Sequence, residues 1–239
     1  MEKSWQNRTA LLLGQQSMER LQQSHVLVVG LGGVGAYAAE MCCRAGIGEL
    51  TLADGDRIDN TNRNRQLPAL ISTLGKPKTE IMEQRFRDIN PEVRIHTLFR
   101  FLEAEDMEEL LQAGAFDYVI DAIDSVGPKV RLLECCVKNG IPVVSAMGAG
   151  EKLDPSRIRC CDISKTYQCG LAAAVRQKLR RLGITKGVEV IFSDEPKTER
   201  KADAPQVEGI GSISYLTAMF GCWCASVCIR RLSQKEDAF

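Results

Sequence analysis

The run Val26-Leu-Val-Val-Gly30-Leu-Gly32-Gly33-Val-Gly35 passes from four apolar residues straight into a glycine-rich loop. Downstream stand an acid, Asp54, and the polar segment Asn60-Thr-Asn62-Arg-Asn-Arg65-Gln66. Gly75-Lys-Pro-Lys78 and Asp121-Ala-Ile-Asp124 follow. A glycine loop that opens a helix lets backbone N–H groups approach a phosphate, and the helix N-terminus favours the negative charge. An acid about twenty residues further on suits a ribose hydroxyl. Gly30, Gly32, Gly33, Gly35 and Asp54 would by themselves serve NAD equally well, and a glycine loop used only for close packing is the plain alternative. Asn62 and Arg65 lie in a segment with no apolar face to bury. A guanidinium there can fork onto two phosphate oxygens and stabilise charge as a phosphoanhydride breaks. Lys78 falls in the first turn of a predicted helix, where a cation opposes the dipole, so a phosphate partner competes with a solvated surface lysine. Asp124 follows a predicted strand end, where a carboxylate suits Mg²⁺, an ion that takes few protein ligands plus phosphates. Its alternative role is capping the next helix. The whole set predicts a grip on a nucleoside triphosphate rather than hydride transfer.

These residues need a frame of alternating strands and helices, and the pattern supplies one. Strands are predicted at 26–29, 49–53, 93–98, 118–121 and 142–145. Helices are predicted at 34–45, 77–89 and 104–112, and another is striped by Val126, Val130, Leu133 and Val137. Pro77 suits a helix start because its missing N–H costs nothing there. The expected fold is α/β: a Rossmann-like, doubly wound, mostly parallel sheet with a C-terminal extension and ligands at the carboxyl ends of its strands. Residues 1–150 form the predicted nucleotide-binding core and 151–239 an extension completing the same domain. In that extension, strands at 157–161 and 188–192 flank a helix at 171–182 with Leu171, Val175, Leu179 and Leu182 inward and Arg176, Lys178, Arg180 and Arg181 mostly outward. Residues 193–211 have almost no apolar content and read as a mobile loop. A terminal helix spans 212–230.

The chain has 239 residues with 31 basic and 31 acidic side chains, so no global field marks a nucleic-acid protein. Between Lys165 and Lys201, however, nine Lys/Arg stand against four Asp/Glu, a local excess of five positive charges. Ten cysteines are present, six of them in adjacent pairs (Cys42-Cys43, Cys135-Cys136, Cys160-Cys161) ill suited to local staples. Without a charged-then-apolar leader, reduced thiols and a cytoplasmic setting are expected. No CxxC pair offers zinc-knuckle spacing. The apolar stretch 213–229 is slightly short for a membrane span and reads as a packed core helix, with peripheral membrane contact as the alternative.

The glycine loop, Asn62-x-x-Arg65-Gln66, Gly75-x-Pro-Lys78 and Asp121-x-x-Asp124 resemble the adenylating superfamily of ubiquitin-activating enzymes, which includes the molybdopterin and thiamine adenylyltransferases. Within it the chain more closely resembles the tRNA threonylcarbamoyladenosine dehydratases. That likeness rests on Arg8-Thr-x-Leu-Leu-Leu-Gly14, Ile89-Asn-Pro91 and Asp121-Ala-Ile-Asp-Ser-Val126. It continues through Met147-Gly-Ala-Gly-x-Lys-Leu-Asp-Pro155, Asp162-Ile-Ser-Lys-Thr166 and Cys169-x-Leu-Ala-x-x-x-Arg176. The resemblance implies ATP-dependent cyclisation of threonylcarbamoyladenosine beside a tRNA anticodon, through adenylation of the threonyl carboxylate. The alternative is an adenylyltransferase acting on a ubiquitin-like sulfur carrier. It implies that Gly32 and Gly33 cradle phosphates and that Asp54 holds the ribose. Asn62, Arg65 and Lys78 would grip the triphosphate, Asp124 would take Mg²⁺, and Arg8 would reach in from the partner of a homodimer. A tRNA substrate and a sulfur-relay protein are the implied partners. Cys169 invites a thioester role, against which stands plain structural packing. Ile210-Gly-Ser212 departs from the family's Pro-Gly-Ser, and residues 193–211 lack the cysteine-rich insertion of some relatives.

Overall fold

A computed structural model describes residues 4–198, 203–206 and 209–234. Two short helices, α1 (Asn7–Leu13) and α2 (Gln15–Gln23), lead into β1 (His25–Val29), α3 (Gly35–Ala45) and β2 (Glu49–Ala53). There follow α4 (Lys78–Ile89), β3 (Arg94–Leu98), α5 (Met107–Gln112), β4 (Tyr118–Asp121), α6 (Val126–Asn139) and β5 (Val143–Ala146). The remainder comprises β6 (Ile158–Asp162), α7 (Gly170–Arg181), β7 (Glu189–Ser193) and α8 (Ser214–Ser233). The seven strands form one sheet in the order β3-β2-β1-β4-β5-β7-β6. All neighbours pair parallel except β6, which runs antiparallel to β7 at the edge. This is the expected Rossmann-like α/β fold. The order in which strands are added reverses between β1 and β4, where such sheets open a ligand crevice.

Two apolar layers cover the sheet. On one face Val26, Val28, Leu50, Leu52 and Ile120 pack with α3, α4 and α8. On the other, Leu27, Val29, Val119 and Val190 pack with α5, α6 and α7, whose Leu133 and Val175 join the same layer. Strand alternation explains the split, since successive side chains leave opposite faces. The apolar residues of α8 belong to the first layer: Leu216, Phe220, Cys224 and Cys228 are fully buried. Gly221 lets α8 approach closely, because a Cβ there would sit 2.3 Å from the Val34 carbonyl at the start of α3. The core-helix reading of 213–229 therefore holds, and among the described residues no helix is long and apolar enough to cross a membrane.

Several expectations are corrected. Helices α1 and α2 lie in a segment assigned no structure from its pattern. Val137 and Leu182, predicted inward, are 36% and 45% exposed, since each sits where its helix runs out beyond the covering layer. Arg176 turns back onto the Thr166 carbonyl at 2.9 Å instead of facing outward. Helix 104–112 begins as a 3-10 turn over Ala104–Asp106. Ser193 is the last residue of β7 rather than the start of a loop. The mobile-loop expectation for 193–211 falls partly on 199–202 and 207–208, outside the described residues. The described ends dock on 151–154: Glu151 donates its N–H to Gly211 at 2.8 Å, and the Glu195 carboxylate accepts from Leu153 and Asp154 at 2.9 Å.

Candidate active site

The carboxyl ends of β1, β2 and β4 border a cleft of about 570 Å³, lined on one side by the glycine loop and on the other by the segments after β2 and β4. Gly30, Gly32, Gly33, Asp54, Asn62, Arg65, Lys78 and Asp124 all line it. Their positions span almost a hundred residues of sequence, and the sheet collects them. Gly30 adopts φ +90°, and a Cβ there would meet the Ala122 carbonyl at 2.7 Å, so the loops after β1 and β4 touch backbone to backbone. Gly35 does not line the cleft. A Cβ on it would lie 1.8 Å from the Gly30 carbonyl, so it is the glycine that lets α3 start tight against the loop.

Asp54 is anchored by the backbone it adjoins. It accepts from the Leu31 N–H at 2.6 Å and the Asp56 N–H at 2.7 Å. Burial raises its carboxyl above the ordinary range, against the pull of Lys78 and those two N–H groups. Lys78 is buried, with its ammonium 2.6 Å from Asp56 and 3.9 Å from Asp54. The surface-lysine alternative fails on that burial. Arg65 differs: it donates to the Thr61 carbonyl at 3.0 Å and to the Asn64 side chain at 2.8 Å. Among the described residues it has no carboxylate partner, so a fixed cation faces the phosphate loop without a counter-charge.

Asp124 is exposed at the mouth, and no side chain among the described residues pairs with it. The helix-capping alternative does not apply, because Ser125 occupies the N-cap of α6 and makes no side-chain cap bond. The loop carrying Asp124 is pinned from below by a network that sequence patterning did not single out. Lys129 and Asp121 are fully buried and 2.6 Å apart. Lys129 also donates to Ser145 Oγ at 3.1 Å and the Ala146 carbonyl at 3.0 Å, and Ser145 donates to Asp121 at 2.6 Å. The other Asp121 oxygen accepts from the Ile123 N–H at 3.0 Å. A buried charge pair with its remaining lone pairs and protons satisfied is stable, whereas either charge alone would not be.

Further lining residues were missed from sequence: Gln66, Arg100, Phe101, Ser212 and Thr217. Gln66 stood inside the motif, and its side-chain carbonyl is buried with no hydrogen-bond partner among the described residues. An orphaned acceptor beside a phosphate loop fits a ligand that donates or that brings a bound water. Thr217 comes from α8, and a Cβ on Gly33 would meet its Oγ1 at 3.0 Å. No local signal marked it. Arg8, in contrast, is exposed on α1 and does not line the cleft of its own chain.

All ten cysteines carry free thiols. Burial pushes the thiol of Cys43 up to about 12 and raises those of Cys136 and Cys224 as well, which makes them inert packing groups. Cys169 is buried at the N-cap of α7 and is no part of the cleft, which favours packing over a thioester role.

Comparison with known proteins matches the ThiF family over residues 6–239. The tRNA threonylcarbamoyladenosine dehydratase of Bacillus subtilis is 48% identical over 189 residues, which cover 79% of this chain and 74% of that protein. Its Haemophilus influenzae counterpart is 40% identical over 243 residues, 92% of this chain and 90% of that one. The crystal structure of the E. coli enzyme in complex with ATP superposes with a TM-score of 0.87 at 38% identity, covering 94% of this chain and 92% of that one. The chain belongs to the ThiF family, and within it to the tRNA threonylcarbamoyladenosine dehydratases.

Proposed function

We propose that this protein is an ATP-dependent tRNA threonylcarbamoyladenosine dehydratase that works at the cleft between the glycine loop and Asp124. The observation that carries the reading is Arg65, a cleft guanidinium facing a phosphate loop and without an acidic partner among the described residues. The threonyl carboxylate attacks the α-phosphorus of ATP and releases pyrophosphate. The carbamoyl group then closes on the activated carboxyl, loses a proton and expels AMP, so the nucleoside loses one water.

Each cleft residue has a part. Backbone N–H groups at Gly32 and Gly33 and the start of α3 receive phosphate, and Asp54 accepts from the ribose. Arg65 and Lys78 neutralise charge building on the phosphates, and Asn62 orients them. Lys78 is released for this by yielding its contact with Asp56, which lies half-exposed at the rim. Mg²⁺, when bound, would lie against the Asp124 carboxylate and supply further charge neutralisation to the phosphates. Catalysis here consists mainly of aligning a carboxylate with phosphorus and stabilising the developing charge.

The tRNA lies over α7 and the segment that follows it, where Lys178, Arg180, Arg181 and Lys186 are exposed and without acid partners among the described residues. Backbone phosphates favour such a patch. Two copies form a homodimer through α1, where Leu11 and Leu12 are 88% and 83% exposed beside Arg8, which then reaches the partner's cleft. Its ten free thiols suit a reducing cytoplasm, and a sulfur-relay protein is the further partner that the family resemblance implies.

The test is mass spectrometry of nucleosides from threonylcarbamoylated tRNA incubated with the protein, ATP and Mg²⁺, under hydrolysis mild enough to keep the cyclic product. Loss of one water with AMP formed in step supports the reading. Unchanged nucleoside mass overturns it, and pyrophosphate exchange that requires a carrier protein would replace it with carrier adenylation.

A further inference from the structure

The chain contains two histidines, His25 and His96. They lie 71 positions apart, and the sheet brings both onto one carboxylate, Glu49. Register explains this. His25 opens β1 and pairs with Glu49, which opens β2. Two residues on, Thr51 pairs with His96 in β3. Parallel partners and i, i+2 neighbours share a face, so His25, Glu49, Thr51 and His96 all project from the same side at the amino ends of three strands.

Glu49 Oε1 lies 2.8 Å from His96 Nε2 and 3.7 Å from His25 Nδ1. The three potential ligand atoms all fall within 4.8 Å of one another. Bonds of about 2.0–2.1 Å in a tetrahedral site place ligand atoms about 3.3 Å apart, so small side-chain movements close the set around one ion. The second polar atoms of Glu49 and His25 are already held. Glu49 Oε2 accepts from Arg94 at 2.6 and 3.0 Å, which turns Oε1 inward. His25 Nε2 contacts Thr51 Oγ1 at 2.8 Å, which turns Nδ1 toward Glu49. Outer partners of this kind fix ligand orientation in metal centres. The Phe116 ring packs tilted against the His25 ring at 4.7 Å, the Asp117 carboxylate accepts from the His25 backbone N–H at 2.7 Å, and the Ala115 carbonyl faces the imidazole. The His96 side chain is 58% exposed, which leaves a way in from solvent.

We propose that His25, Glu49 and His96 form a binding site for one divalent transition-metal ion, zinc foremost, with water completing the coordination. Two imidazoles and one carboxylate match the preferences of zinc and are too few and too nitrogen-rich for magnesium or calcium. The site is separate from the nucleotide cleft, at the opposite ends of the same strands, about 13 Å away along β1 by strand rise. Its function is mechanical: it clamps β1, β2 and the edge strand β3 together. Arg94 and burial act on Glu49 in opposite directions, and the balance holds its carboxyl below the usual range and ready as a ligand.

The experiment uses full-length protein without a histidine tag, stripped with chelator, in a Cys222→Ser background because Cys222 is an exposed thiol. ZnCl₂ is titrated by calorimetry and CoCl₂ by visible absorption. The expected result is one ion per chain and a zinc-dependent rise in melting temperature. His96→Gln, at a largely exposed side chain, weakens uptake by more than about 100-fold, and the nearly isosteric Thr51→Val by about tenfold. Circular dichroism checks that both variants are folded. Failure of stoichiometric uptake, or unchanged affinity in folded His96→Gln, overturns the proposal.

Discussion

Replacing Lys129 with Met removes one buried ammonium and keeps most of its stem, so it isolates the charge beneath the Asp124 loop. Lys129 has no exposed surface and makes three contacts of 2.6–3.1 Å, to Asp121, Ser145 and the Ala146 carbonyl. In the variant, Asp121 keeps its bonds from Ser145 and the Ile123 N–H but loses its cation at a fully buried position. Breaking a buried pair from one side costs about 3–5 kcal/mol, because the surviving charge stays desolvated. For a chain of this size that corresponds to a melting temperature lower by about 6–20 °C. Urea unfolding followed by circular dichroism measures the loss directly. Adding Asp121→Asn to Lys129→Met removes the stranded charge and should recover about 1–3 kcal/mol. ATP affinity of the folded single variant should also fall, because the network anchors the segment 122–125 that borders the cleft. A Lys129→Met protein within about 1 kcal/mol of wild type, with no gain from the second substitution, would refute the account.

Arg65→Ala should leave the fold intact, since its hydrogen bonds are confined to its own loop, while adenylation falls by about 100-fold or more in a pyrophosphate-exchange assay. Full turnover at saturating ATP would remove Arg65 from the triphosphate. Gly35→Ala should not yield stable protein, because the new methyl would lie 1.8 Å from a backbone carbonyl. Gly32→Ala, where the nearest atom is 3.8 Å away, should fold but bind ATP more weakly, and thermal melts with and without ATP separate the two cases. Burial holds the His25 imidazole below its ordinary value near 6.5, so the unfolded chain binds more protons in that range. Stability should therefore rise with pH up to about 6.5 and fall on acidification, and His25→Gln in chelated buffer should flatten that slope in urea midpoints measured from pH 5.5 to 7.5. A slope unchanged by the substitution would assign the acid limb to other groups.

Much of the cleft was legible because its chemistry is written in short segments. A glycine loop after an apolar strand, an acid at the end of the next strand and Lys78 at a helix start each carry a local signature. Strand and helix periodicity located nearly every sheet element within a residue or two. Periodicity failed where a face depends on a distant neighbour. Helix α2 reads as polar, and its Met18 and Leu21 are buried only because other parts of the fold close over them. Val137 and Leu182 continue their stripes past the point where anything covers them.

The amino-acid sequence by itself determined the alternation of strands and helices, the phosphate loop and the residue types available to meet a triphosphate. Tertiary structure alone decided which of them meet. It buried Lys129 on Asp121, left Arg65 without a counter-charge among the described residues and brought Thr217 of α8 against Gly33. It also kept Arg8 outside its own chain's cleft and set His25 and His96 on Glu49 through the register of three parallel strands. The reason is physical. Hydrophobic period encodes which face of an element turns inward, a property of neighbouring residues. Desolvation, ion pairing and strand register depend on elements far apart in the chain, and those terms exist only once the sheet has formed.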